Sequence, residues 1–183
     1  MNMVRKLIIV LVLFPLLTPM WLRAQADKSQ DVWQPFKFFV GKWEGRGEGK
    51  PGISTGMQEF QFILRGQYLH VKNEARFEPQ EKNPKGEVHE DWGFFSYDQN
   101  RKKYVLRQLH VEGFVNQYIL ESFGEDGKTL TFVSEQIENI PAGWRAKLTY
   151  KILNENEFQQ SFDLAGPEKE FECYSVGIMK RIK

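Results

Sequence analysis

Beyond its first two dozen residues the chain has no long apolar run, and in all it has one cysteine and three histidines. With Cys173 alone, no intrachain disulfide is available and stability must come from packing. A single thiol with no basic neighbour in sequence reads as a small buried hydrophobe rather than a reactive group. No stretch after Gly41 keeps a helical period, which excludes helical bundles and alternating α/β folds. The signatures G-x-S-x-G and H-E-x-x-H and a phosphate-binding loop are all missing, and "GRGEG" lacks the strand-before, helix-after setting of a dinucleotide fingerprint. An excess of charge of one sign is missing too: 25 basic residues face 24 acidic ones. That near-neutrality argues against nucleic acid as a partner.

What is present begins with an export signal. "MNMVRK" is basic, "LIIVLVLFPLLTPMWL" is apolar, and "AQA" (Ala24 to Ala26) offers small residues for cleavage. Pro15 and Pro19 break the apolar run, which is shorter than the roughly 20 residues of a comfortable membrane span. Residues 1–26 are therefore expected to be a cleaved signal peptide, giving a periplasmic or secreted protein with no stable membrane span. Removing Arg5, Lys6 and Arg23 from the 25 basic residues leaves 22 against the same 24 acids, so the remaining chain carries −2.

Residues 27–40 read as a short lead. "DVWQPFKFF" predicts one or two helical turns, kept short by Pro35, that pack aromatic rings against the strands beyond Gly41. Residues 41–183 form one domain of about ten β-favouring runs, separated by turn signals such as "DQNR", "GEDGK" and "GPEK". In "WRAKLTYKI", Trp144, Ala146, Leu148, Tyr150 and Ile152 alternate with Arg145, Lys147, Thr149 and Lys151, so one face is dry and the other wet. "EFQFIL" and "EFQQSFDL" alternate in the same way. Short turns without long crossovers predict an all-β fold, an antiparallel up-and-down meander of about ten strands closed into a barrel, because closure removes exposed edges. Gly45, Gly47 and Gly49 then lie on one side of the first strand, leaving room for sharp coiling or another backbone, with Trp43 plugging the barrel end.

"GKW" at Gly41 to Trp43 resembles the opening of the calycin superfamily of lipocalin-like and fatty-acid-binding-protein-like barrels. The longer "FFVGKWEGRGEG" is similar to the nitrobindin family of ten-stranded heme-binding barrels, with its G-T-W-x-G-x-G-x-G type opening. "FVGKW", "ILRGQYL", "FFSYDQNRKKYV" and "IMKRI" resemble a related group of exported bacterial barrels. The nitrobindin resemblance implies ferric heme held by a histidine near the chain end, with peroxynitrite isomerisation in related members. The closing run "EFECYSVGIMKRI" has no histidine, so no heme ligand is carried over and no cofactor is expected. Cys173, Tyr174 and Met179 are of types that bind heme iron, but each reads more simply as a strand residue.

His89 and His110 fall at one barrel end and His70 at the other. An even-numbered loop centred on Gln99 and Asn100 sets His89 opposite His110, with Asp91 the nearest substitute for a missing third ligand, so no metal is expected. His89 and Asp91 share a strand face, but no nucleophile accompanies them. The same register sets Trp92 opposite Arg107 and Phe94 opposite Val105, and this face reads as the interior. The candidate ligand lining is therefore Arg107, Trp92, Phe94, Phe60, Phe62 and Trp144. In fatty-acid-binding-like barrels an interior arginine meets the ligand carboxylate, a part that Arg107 could play; its surface alternatives are stacking on Trp92 or pairing with Glu90.

The sequence supports three readings. The first is an exported, non-catalytic barrel holding a small apolar or amphiphilic molecule. The second is a heme-binding barrel with reactive-nitrogen chemistry, and the third is a filled barrel serving as an interaction domain. Enzymatic activity is left open.

Overall fold

A computed structural model describes residues 31–183, and the expected signal peptide lies outside the described residues. Pro35 starts a 3-10 helix at Gln34–Phe39, which stops where Val40 N–H donates to the Lys37 carbonyl. Ten strands come after it: β1 (Gly41–Gly49), β2 (Gly52–Ile63), β3 (Tyr68–Phe77), β4 (Glu87–Asp98), β5 (Lys103–His110), β6 (Val115–Phe123), β7 (Thr129–Glu138), β8 (Arg145–Asn154), β9 (Glu157–Ala165) and β10 (Glu172–Arg181). Each pairs antiparallel with the next, and β10 returns to β1, so the sheet is a closed up-and-down barrel. Among the described residues, no helix is long and apolar enough to cross a membrane.

The glycines of β1 make the closure possible. A Cβ at Gly45 would press on the Ile178 carbonyl oxygen and lie 2.6 Å from Met179 Sδ; one at Gly49 would press on the Tyr174 carbonyl. Backbone approach by β10 at these positions leaves no room for a side chain.

One half of the interior is packed solid. Trp43 is fully buried, its Nε1 donating 2.7 Å to the Phe39 carbonyl. Its ring meets Phe158 edge-on at 4.8 Å, while Phe36 reaches Tyr104 at 4.8 Å and Phe95 at 5.4 Å. Phe60, Phe132, Tyr150 and Tyr118 complete this aromatic plug. Each well-placed aromatic pair adds about 0.5–1.5 kcal/mol beyond the area it buries. Arg181 locks the base: its guanidinium lies 4.1 Å over the Trp43 ring and donates to the carbonyls of Val40 at 2.8 Å and Phe38 at 2.6 Å. The short helical lead is thus a stopper for the barrel end that Trp43 closes.

Candidate functional site

The other half of the barrel is a cavity of about 740 Å³. Its floor is polar, because the inward positions change from aromatic rings to amides partway along several strands. Gln58 on β2 replaces Phe60, Gln160 on β9 replaces Phe158, and Asn116 on β6 replaces Tyr118. These amides join in a belt. Gln58 Nε2 donates to Gln160 Oε1 at 2.7 Å and to Asn73 Oδ1 at 3.0 Å. Asn73 Nδ2 donates to Asp91 Oδ2 at 2.6 Å, and Gln108 Nε2 to Asp91 Oδ1 at 2.7 Å. A buried carboxylate is costly unless hydrogen-bonded, and Asp91 is held by two amides.

The belt leaves buried acceptors. Gln58 Oε1 and Asn116 Oδ1 are buried with no partner. Of the charged side chains on the lining, Glu48, Glu87, Asp91 and Glu112 are acidic, against Arg46 and His89. The upper wall is apolar and includes Phe114, Ile137, Trp144, Leu148 and Phe162.

His89 and His110 sit in this wall, their rings 5.4 Å apart. His89 Nδ1 meets Glu112 Oε1 at 2.6 Å and its Nε2 lies 3.5 Å from Asp91 Oδ2. Hydrogen bonding to Asp91, reinforced by Glu112, outweighs burial and pushes His89 up to about 9. Burial does the opposite to His110, which falls to about 4 and stays a neutral imidazole stacked 4.0 Å from the Phe114 ring. One histidine is therefore a cation and its neighbour a free base.

The β4–β5 register differs by two residues from the sequence expectation. The loop has four residues, 99–102, so Asp98 pairs with Lys103 and His110 faces Asp91 rather than His89. The shift keeps each residue on its expected face, but the interior is the opposite face from the one assigned. Trp92 is 49% exposed on the outside, under Lys72 at 4.8 Å, and Phe94 stacks there on His70. Arg107 points out and pairs with Glu138 at 2.7 Å, so it meets no ligand inside, and Glu90 is not its partner. Phe60 belongs to the plug, and Phe62 touches Trp33 at 5.7 Å. Of the six candidate residues, Trp144 lines the cavity. Cys173 is exposed, not buried. A bulge between Cys173 and Ser175 adds Tyr174 to β10, and Tyr174 lines the cavity instead.

Residues 32–181 match the family described as THAP4-like, heme-binding beta-barrel domain. The chain belongs to this family. Among solved structures, it is similar to Rv2717c from M. tuberculosis at 16% identity and TM-score 0.63, over 84% of this chain and 98% of that one. A redesigned barrel, mFAP0, bound to DFHBI, is similar at 8% identity and TM-score 0.44, over 79% of this chain and 100% of that one. No curated protein matches the chain.

The family name raises the fit of heme. Of the residue types that bind heme iron, His89, His110, Tyr174 and Met179 line the cavity, and His89 is engaged by Asp91 and Glu112. His110 has the neutral nitrogen that ligation needs. Tyr174 is held in its phenol form by burial and by Glu87 and Glu112. The residues thus fit the iron through His110, while the acidic wall opposes the two heme carboxylates.

Proposed function

We propose that this chain is an exported, non-catalytic barrel that holds a small amphiphilic molecule in the half-open cavity, and that the molecule is neutral or cationic and donates hydrogen bonds. The observation that carries this reading is the floor: Gln58 Oε1 is buried with no partner, and Asp91 beside it adds negative charge. A donor on the ligand would satisfy an acceptor that otherwise costs about 1–3 kcal/mol to bury. The ligand's apolar body would lie against Trp144, Phe114 and Phe162. A carboxylate ligand fails on the same grounds, since it brings acceptors and negative charge to a site rich in both.

The test uses the full chain and two probes of one chain length, an alkylamine and an alkanoate, read by Trp144 fluorescence against a Trp144→Phe control. The amine is expected to bind and the alkanoate not; equal binding, or alkanoate preference, overturns the reading. Native mass spectrometry of protein from its own host would then weigh any co-purified molecule.

Family membership favours a second reading, heme in the same cavity with His110 toward the iron. Bound heme would supply the redox-active iron that reactive-nitrogen chemistry needs. Hemin titration decides it: a sharp Soret shift lost in His110→Gln supports heme, and a flat titration removes it. A barrel filled along its whole length, the third reading, does not describe an interior with a 740 Å³ cavity.

A further inference from the structure

We propose that His89, His110 and Glu112 form a binding site for a divalent transition-metal ion in the cavity wall. Their ligand atoms lie within 4.8 Å of one another. His89 would ligate through Nδ1, which already meets Glu112 Oε1 at 2.6 Å, and His110 Nδ1 faces the same imidazole, 3.4 Å from its Nε2; two ligands on a tetrahedral ion with bonds of about 2.1 Å stand ~3.4 Å apart.

The backbone fixes this arrangement. His110 ends β5, and a tight turn, closed by Gly113 N–H to the His110 carbonyl at 2.9 Å, brings Glu112 back over His89 on β4. Gly113, at φ 89°, supplies the left-handed residue the turn needs. The proton now shared by His89 and Glu112 at 2.6 Å is what a cation would displace, with the contact opening by under an ångström to ligand spacing.

Groups behind the ligands orient them. Metal-bound histidines almost always use the second ring nitrogen in a hydrogen bond, often to a carboxylate or carbonyl. Asp91 Oδ2, 3.5 Å from His89 Nε2, is itself held by Asn73 and Gln108. His110 Nε2 lies 3.1 Å from the Asn116 amide, which is 2.8 Å from the Tyr118 hydroxyl, while Asn116 Oδ1 has no partner. Exchanging the amide's oxygen and nitrogen lets that oxygen accept from both His110 Nε2–H and Tyr118 O–H. His110 then carries its proton on Nε2 and turns the Nδ1 lone pair toward His89.

Two imidazoles and one carboxylate suit Zn²⁺, Co²⁺ or Fe²⁺ and leave a coordination position for water or a ligand from the cavity. The inference stands apart from the amphiphile reading, since the metal is titrated alone, and failure here would leave the floor chemistry untouched. Because both use His110, metal and heme would exclude each other.

The experiment uses the untagged full chain, stripped with chelator and titrated with Co²⁺. A visible d–d band saturating at one equivalent and displaced by Zn²⁺ is expected. His110→Gln should lose the band, Glu112→Gln should weaken binding by about tenfold or more, and Cys173→Ser, which removes the sole thiol, should keep it. Excess Zn²⁺ should raise the unfolding midpoint of the wild-type chain and leave that of Glu112→Gln, altered at a partly exposed side chain, almost unmoved. No band in the wild-type chain, or a band that Cys173→Ser abolishes and Glu112→Gln retains, overturns the site.

Discussion

The two histidines of the cavity wall predict a stability profile with two limbs, one for each ring. An unfolded histidine titrates near 6.5. Folded His89 keeps its proton up to about 9, because Asp91 and Glu112 bond the charged ring. Between pH 6.5 and 9 the folded state therefore binds the extra proton, and stability falls as pH rises; the contribution is complete below 6.5 and lost above 9. Folded His110 stays neutral down to about 4 because burial penalises its charge. Between pH 4 and 6.5 the unfolded state binds the extra proton, so stability falls as pH drops. Each displacement of about 2.5 pH units corresponds to roughly 3 kcal/mol, large beside the 5–15 kcal/mol that holds a typical domain together. Urea unfolding in chelator from pH 4 to 9.5 should give a maximum near pH 6.5. His89→Gln should flatten the alkaline limb and His110→Gln the limb between pH 4 and 6.5. A wild-type profile level from pH 5 to 9, or limbs that survive their own substitutions, would refute the assignment of charge to these rings.

Three further outcomes test the architecture. Gly45→Ala should destabilise by about 1–3 kcal/mol, because its Cβ meets the Ile178 carbonyl; Gly56→Ala, whose Cβ meets nothing nearer than 3.7 Å, should not, and thermal unfolding compares them. Arg181→Lys should cost about 2 kcal/mol by urea unfolding, since a lysine cannot hold the Phe38 and Val40 carbonyls in one plane while covering Trp43. Arg107→Ala should leave amine-probe affinity unchanged, as its contact is Glu138 on the outer surface; a loss of binding would place this arginine at the ligand after all.

The strands were legible because alternation reports burial, and closure followed from short turns and from glycines that admit β10. Alternation fails where the interior is itself polar. On β4 and β5 the inward series His89, Asp91, Gln108 and His110 looks like a solvent face, while the outward series Trp92, Phe94 and Leu109 looks like a core. The rule that apolar residues face inward therefore selects the wrong face in the half of the barrel built around a cavity. A usable signal lay in the neighbouring strands, where an amide interrupts an apolar series at Gln58, Asn116 and Gln160. Each amide alone reads as a surface residue. Their meaning comes from closure, which brings β9, β2 and β3 to one level of the tube, so that Gln160, Gln58 and Asn73 complete a belt that ends on Asp91. The extra residue of β10 left no such trace: a bulge shifts Cys173 out and Tyr174 into the cavity wall without changing the hydrophobic pattern. The aromatic plug and the amide belt thus divide the barrel along one axis, the plug supplying the stability that lets the belt hold a buried carboxylate and an unpartnered acceptor.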